Sequence, residues 1–286
     1  MAQVKGPKRI SRSRGGDALM YFVMFFFGII FAIPLYYTVL TSFTPLNEMS
    51  VFPPRFYIVN PTTENYTLML RLLSSSKIPF SRYLANTIIV TIMGTTGGII
   101  IASIAAYPLA KHQFAGKALM YNIIVWAMMF RGEVASIPSY LIVAGLGLFN
   151  TYWSIFLPAW SGTGGTFMMR QFMEASIPDA VVEAAKIDGA NEWNIYWRII
   201  MPNVKPAWLT LIIFDFGAYW GATGGSYIYK EQIKLLPTAL GMITGSGASR
   251  AGAGCAVGVM MLVPPLILFL FSQSAIMETM STAGLK

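Results

Sequence analysis

The chain has 286 residues, 55% of them hydrophobic and only 11% charged, with a formal net charge of +8 at pH 7. That balance excludes an ordinary soluble domain, and a single cysteine and a single histidine exclude an internal disulfide and a histidine-rich metal site. The positive charge points to a membrane flank and away from nucleic acid, because Lys5, Lys8, Arg9, Arg12 and Arg14 crowd just ahead of the first long apolar run.

Repeated apolar runs of about 20 residues, the length that crosses ~30 Å of hydrocarbon, predict an all-α polytopic membrane protein. Residues 1–18 read as a basic cytoplasmic segment and residues 19–286 as the transmembrane domain. The run from Leu19 continues past the length of a secretory signal and has no small-residue cleavage site, so it reads as a span. It covers 19–43, with Pro34 as an expected kink. Residues 44–82 carry five prolines and polar side chains and read as an outer loop with one short helix at 64–73. A second span follows at 84–107, where Gly94 and Gly98, four residues apart, would let another helix approach closely.

Lys111, His112 and Lys117 mark a short inner loop before a third span at 118–143. Asn150 turns the chain, and 152–172 returns as a fourth span. Beyond the polar island at 173–203, a fifth span occupies 204–219, a glycine-rich outer segment 221–250 and a sixth span 252–274. Six crossings put both termini inside. By this assignment twelve Lys and Arg lie on the inner side and eight lie outside it or within spans, the expected sign of bias. Cys255, among Gly and Ala in the sixth span, reads as a small packing residue.

The island contains IPDAVVEAAKIDGANEWNIYWRIIMP at 177–202. Pro178 suits a first helical position and Asp179 sets negative charge on the positive end of the helix dipole. Val181, Val182, Ala184, Ala185 and Ile187 supply an apolar surface, and Gly189 suits a left-handed stop. Asn191 then caps a second helix carrying Trp193, Ile195, Tyr196, Ile199 and Ile200, which Pro202 closes.

Glu183-Ala184-Ala185, three residues, Gly189, nine residues, Ile199, one residue and Met201-Pro202 resembles the EAA signature of ABC-importer permease subunits, with Met201 where Leu is usual. Ile177-Pro178, Ile187-Asp188-Gly189-Ala190, Asn150-Thr151, Leu157-Pro158 and the closing Ala283-Gly284-Leu285-Lys286 are similar to its carbohydrate branch. The resemblance covers roughly residue 80 onward and implies the six-helix fold of a type I ABC importer permease in the cell membrane. It implies a carbohydrate substrate, an oligosaccharide in size, moved by alternating access. Its implied partners are a second permease, two ATP-binding subunits that hold ATP and Mg, and an extracellular solute-binding protein met by outer surfaces such as SYIYKEQIKLLP at 226–237. The island is then the cytoplasmic coupling loop, with Ala180, Glu183, Ala184, Ala185, Asp188 and Gly189 docking on an ATPase.

The chain has no phosphate-cradling GxxxxGK[ST] stretch, no HExxH pair, no GxSxG elbow and no CxxC site, so neither catalytic residues nor a cofactor of its own are expected. Arg131 and Glu133 interrupt the third span and Asp215 the fifth. Ionisable groups at membrane depth cost several kcal/mol unless paired or wet, which marks them as candidate walls of a water-filled path, with Tyr219 or Trp220 stacking on a sugar ring. The alternative reading is an Arg131–Glu133 ion pair and an Asp215 satisfied by helix packing. Arg131-Gly132 stands where Pro-Gly is common in the family, and Trp220 is followed by Gly221 where the family often has Asn. Two other classes, an ion-coupled transporter and an intramembrane enzyme, lack inverted repeats with acidic relays and a catalytic constellation respectively.

Overall fold

The structure, a computed structural model, describes residues 14–49, 51–74, 78–130, 132–245, 247 and 250–283. The basic residues ahead of Arg14, Arg131 and the closing Gly284, Leu285 and Lys286 lie outside that set. All regular structure among the described residues is helical.

Helix α1 (Arg14–Ser42) runs unbroken through Pro34. None of its apolar window is buried within the chain, as suits a helix solvated by lipid along its length. Helix α2 (Glu64–Ser74) lies in the proline-rich segment. It is fastened by buried Asn65, whose Nδ2 donates to the Ser42 and Thr44 carbonyls at 2.9 and 2.8 Å. Helix α3 (Phe80–Lys111) has 32 residues and extends beyond the expected 84–107 at both ends.

Two expected spans are not single helices. The third is α4 (Lys117–Met128) followed by α5 (Gly132–Gly145). The first piece ends at Met128 and the second starts at Gly132, which lets Glu133 sit in the first turn of α5, where the helix dipole favours negative charge. The fourth is α6 (Trp153–Trp160) and α7 (Thr163–Ser176), parted at Gly162, whose ψ of 126° is extended. By length and composition three helices, α1, α3 and the last, can each cross a membrane, and a bent pair in the second half would make a fourth.

The island forms α8 (Asp179–Ile187) and α9 (Glu192–Asn203), and the fifth span is α10 (Lys205–Trp220). The glycine-rich outer segment is more ordered than expected. It contains α11 (Leu236–Thr244), whose Leu236, Ala239, Leu240 and Ile243 follow helical spacing and are buried against α2 and the last helix. That last helix, α12 (Ala251–Ala283), runs past 274.

Helix α3 is the centre of the packing and meets α6, α7, α10 and α11. Its glycines allow the close approach their spacing suggested. A Cβ at Gly94 would lie 2.6 Å from the Tyr219 ring, and one at Gly98 would lie 3.2 Å from Asp215 Oδ2.

Candidate functional site

Helix α8 begins at Asp179, one residue later than the sequence suggests, because Pro178 takes an extended ψ of 142°; Ile177 before it is also extended, at ψ 109°, and its carbonyl accepts from Lys111. Gly189 ends the helix with φ +77°, a conformation that costs a residue with a Cβ. Asn191 caps α9, its Oδ1 accepting the Asn194 N–H at 2.8 Å. Pro202 does not close α9. The helix widens into a π-type turn over Tyr196–Ile200, in which the Met201 N–H reaches back to the Tyr196 carbonyl. This shifted ladder admits a residue without an N–H. The helix ends at Asn203, and α10 departs at 77°.

Helix α8 has two faces. Val182 and Ala185 turn inward onto a cluster with Ile177, Ile195 and Tyr196. Ala180, Val181, Glu183, Ala184, Ile187, Asp188 and Gly189 face outward, so Ala185 is the one coupling candidate beneath the helix. Ile187 is 87% exposed, and Glu183 has no partner among the described residues. An apolar stripe with an unpaired acid at its edge is costly to leave in water and suits a protein contact.

Both ends of α8 are tied to the Lys111 end of α3. At the start, Lys111 Nζ donates to Asp179 Oδ1 at 2.7 Å and to the Ile177 carbonyl at 2.5 Å, with only 3% of the Lys111 side chain exposed. The bond and charge of Lys111 hold the Asp179 carboxyl below its ordinary range. Beyond the end, Glu192 gathers three donors: Tyr107 Oη at 2.6 Å, Lys186 Nζ at 2.9 Å and His112 Nε2 at 3.2 Å. The Tyr107 bond first, and then that of Lys186, lower the Glu192 carboxyl from 4.5 to about 2. Sequence reasoning missed Tyr107, Lys111, His112 and Glu192 as a group, since they are 70 or more residues apart across α3 and the loop and no local pattern joins them.

A cavity of about 350 Å³ lies between α3, α6, α7 and α10. Gly98, Trp160, Gly165, Asp215 and Tyr219 line it, and Asp215 is its one charged residue. Asp215 has no hydrogen-bond or ion-pair partner among the described residues. Trp160, absent from the sequence candidates, stacks on Phe156 with ring centres 5.2 Å apart and donates to the Gly94 carbonyl at 2.9 Å. In the sequence it cannot be told from an interfacial anchor. The structure brings Asp215 and Tyr219 to the cavity but not the other candidates. Glu133 is exposed in the first turn of α5. Trp220 is turned to α12, where its Nε1 donates to the Met261 carbonyl at 3.1 Å. Arg131 is outside the described residues.

Comparison with known proteins bears on both features. Residues 94–281 match the family model described as binding-protein-dependent transport system inner membrane component. The chain is 28% identical to the polygalacturonan/rhamnogalacturonan transport system permease protein YtcP of Bacillus subtilis (strain 168), over 92% of this chain and 95% of that one. It is 30% identical to Protein LplC of the same organism, over 73% of this chain and 68% of that one. It is 26% identical to the sn-glycerol-3-phosphate transport system permease protein UgpE of Yersinia pestis, over 92% and 95%. Among solved structures, it shares its fold with a chain of a bacterial ABC transporter involved in the import of the acidic polysaccharide alginate, at a TM-score of 0.78 and 23% identity over 93% of this chain and 99% of that one. The family pattern thus runs from the middle of α3 to the end of α12, through the cavity and the loop, and with it the ion-coupled and enzymatic readings fall away. The chain belongs to the binding-protein-dependent transport system inner membrane components, as a permease subunit of an ATP-driven importer that works with a binding protein and ATPase subunits.

Proposed function

We propose that the chain is one of two related permeases through which a carbohydrate of oligosaccharide size is drawn into the cell by alternating access. The observation that carries the coupling half of this reading is the outward face of α8, apolar and acidic, uncovered within the chain and anchored at both ends. One of two ATP-binding subunits, which hold ATP and Mg, docks there, contacting Ala180, Glu183, Ala184, Asp188 and Gly189 over Ala185, and the other docks on the second permease. Residues 173–203 are the cytoplasmic coupling loop and both termini are cytoplasmic. The two broken helix pairs and the bent α9/α10 pair complete six crossings in contact with lipid.

The carbohydrate half rests on the cavity and on the substrates named for two of the relatives. Asp215 accepts hydrogen bonds from sugar hydroxyls, and Tyr219 offers a polar and aromatic wall beside it. Glu133, and Arg131 by its place in the sequence, are candidates for the same path, and Trp220 holds α10 against α12 behind it. The second permease supplies the facing wall, and an extracellular solute-binding protein delivers the sugar at the outer loops.

Purification of the tagged chain from native membranes tests the assembly. The expected complex contains a second, different permease and two ATPase subunits; two copies of this chain alone would overturn the heterodimer. In proteoliposomes with the binding protein, labelled oligosaccharide uptake should require ATP. Asp215→Asn should lower it about tenfold, the loss of one hydrogen bond to a charged group, and unchanged apparent affinity and rate would remove Asp215 from the path.

A further inference from the structure

The loop's two clamps converge on one helix, and that convergence implies a route for the stroke. Along the chain, both exits from α8 are interrupted. Toward α7 the chain passes through the extended Pro178. Toward α10 it passes Gly189, the π-type turn at Tyr196–Ile200 and a 77° bend. A push on α8 would be absorbed at those joints. Helix α3, by contrast, is continuous from Phe80 to Lys111. Its inner end grips α8 and α9 through Lys111, Tyr107 and the adjoining His112. Its middle meets the cavity, with Gly94 against Tyr219, Gly97 against Trp160 and Gly98 against Asp215. Nine residues of helix separate Gly98 from Tyr107, a stiff rod of ~14 Å.

We infer that Glu192 is a positioning residue which, by accepting from Tyr107, locks the coupling loop to α3 and makes α3 the member that carries the ATPase stroke to the cavity. This rests on the reading of α8 as the ATPase-facing helix. Tyr107 is buried and its hydroxyl has Glu192 as acceptor, so loss of the bond leaves the loop folded on its apolar face and held to α3 by Lys111 and by the Ser103–Tyr196 hydroxyl pair, while loosening the grip on α9 at Glu192. Lys186 and His112 hold the Glu192 carboxylate in place for that bond.

The test uses the assembled importer in proteoliposomes with its binding protein, measuring substrate moved per ATP hydrolysed. Tyr107→Phe and Glu192→Ala should each retain the ATPase subunits on purification and hydrolyse ATP within about twofold of wild type, while substrate moved per ATP falls about tenfold, the scale of one hydrogen bond to a charged group. The double variant should be no worse than Glu192→Ala alone, and Glu192→Gln, which still accepts from Tyr107, should recover most of the ratio. An unchanged ratio in Tyr107→Phe overturns the inference, as does a fall in transport matched by equal loss of hydrolysis and of bound ATPase subunits. Failure of the wild-type chain to retain ATPase subunits would instead overturn the coupling reading beneath it.

Discussion

The two ends of α3 are both fastened, but by different chemistry. At the outer end the bonds are buried and aimed largely at backbone. Asn86 Nδ2 donates to the carbonyls of Gln232 and Lys234 at 2.9 and 3.0 Å, and its Oδ1 accepts from Tyr152 Oη at 2.7 Å. Thr87 Oγ1 accepts the Leu236 N–H at 2.8 Å, and Tyr83 donates to Glu231 at 2.7 Å. At the inner end buried Lys111 and Tyr107 reach the Ile177 carbonyl and two carboxylates at the edge of the protein, with the Asp179 side chain 78% and the Glu192 side chain 50% exposed. Buried bonds to backbone are costly to break because the groups left behind have no water to replace the partner, whereas exposed ion pairs contribute little to stability and exchange partners readily. The outer end is therefore a staple closed largely on backbone, and the inner end a grip from buried donors onto acceptors that face water.

The largest expected effect is at the inner end. Glu183→Lys reverses the charge on the outward face of α8 and should reduce ATP-driven uptake by about 100-fold, as expected for a reversed charge at a protein contact. Insertion and the melting temperature of the chain should stay unchanged, since Glu183 has no bonding partner among the described residues. Wild-type uptake by this variant would mean that the inner face takes no drive from a partner. At the staple the pattern inverts. Asn86→Leu takes the side-chain donor from the Lys234 carbonyl and the acceptor from the Tyr152 hydroxyl, while the Gln232 carbonyl keeps Arg82 Nε at 3.3 Å, and should cost about 1–2 kcal/mol of stability in thermal denaturation of the purified complex, with the ratio of substrate moved to ATP hydrolysed unaffected. A lowered ratio without lost stability would erase the distinction between the two ends.

The smallest effect is one of pH. Glu192 is lowered from 4.5 to about 2, so its contribution is complete above the unfolded value and is lost as pH falls from about 4.5 toward 2. Between pH 8 and 6 the grip should be indifferent to the ionisation of this carboxyl. A fall in thermal stability between pH 4.5 and 2 that is no larger in the wild type than in Glu192→Gln would contradict the assignment of its partners.

Much of the coupling loop is legible in the linear chain because its determinants are local. Asp179 at a helix start, Gly189 at a left-handed stop and Asn191 at a cap each act within a few residues, and each stands where local chemistry places it. Pro202 misled because a proline inside a helix can be absorbed by a widened turn upstream, which depends on how Tyr196 and Ile200 are buried. Helix α11 carried a readable signal in the spacing of Leu236, Ala239, Leu240 and Ile243, obscured by the glycines around it. The breaks within the third and fourth spans coincide with Gly132 and Gly162, but apolar content alone joins the pieces.

By itself the sequence determined that this is a helical membrane protein, that it carries a polar loop of EAA type, and where that loop's first helix starts and stops to within a residue. Those properties follow from hydropathy and from interactions between near neighbours. Only the tertiary structure decided that Asp215 and Tyr219 share a cavity with Trp160 while Trp220 turns to α12, and that Lys111, Tyr107 and His112 grip Asp179 and Glu192. Such pairings join residues that are far apart in the chain, and they arise because Gly94 and Gly98 let α10 pack close to α3 and the apolar face of α8 settles beneath it.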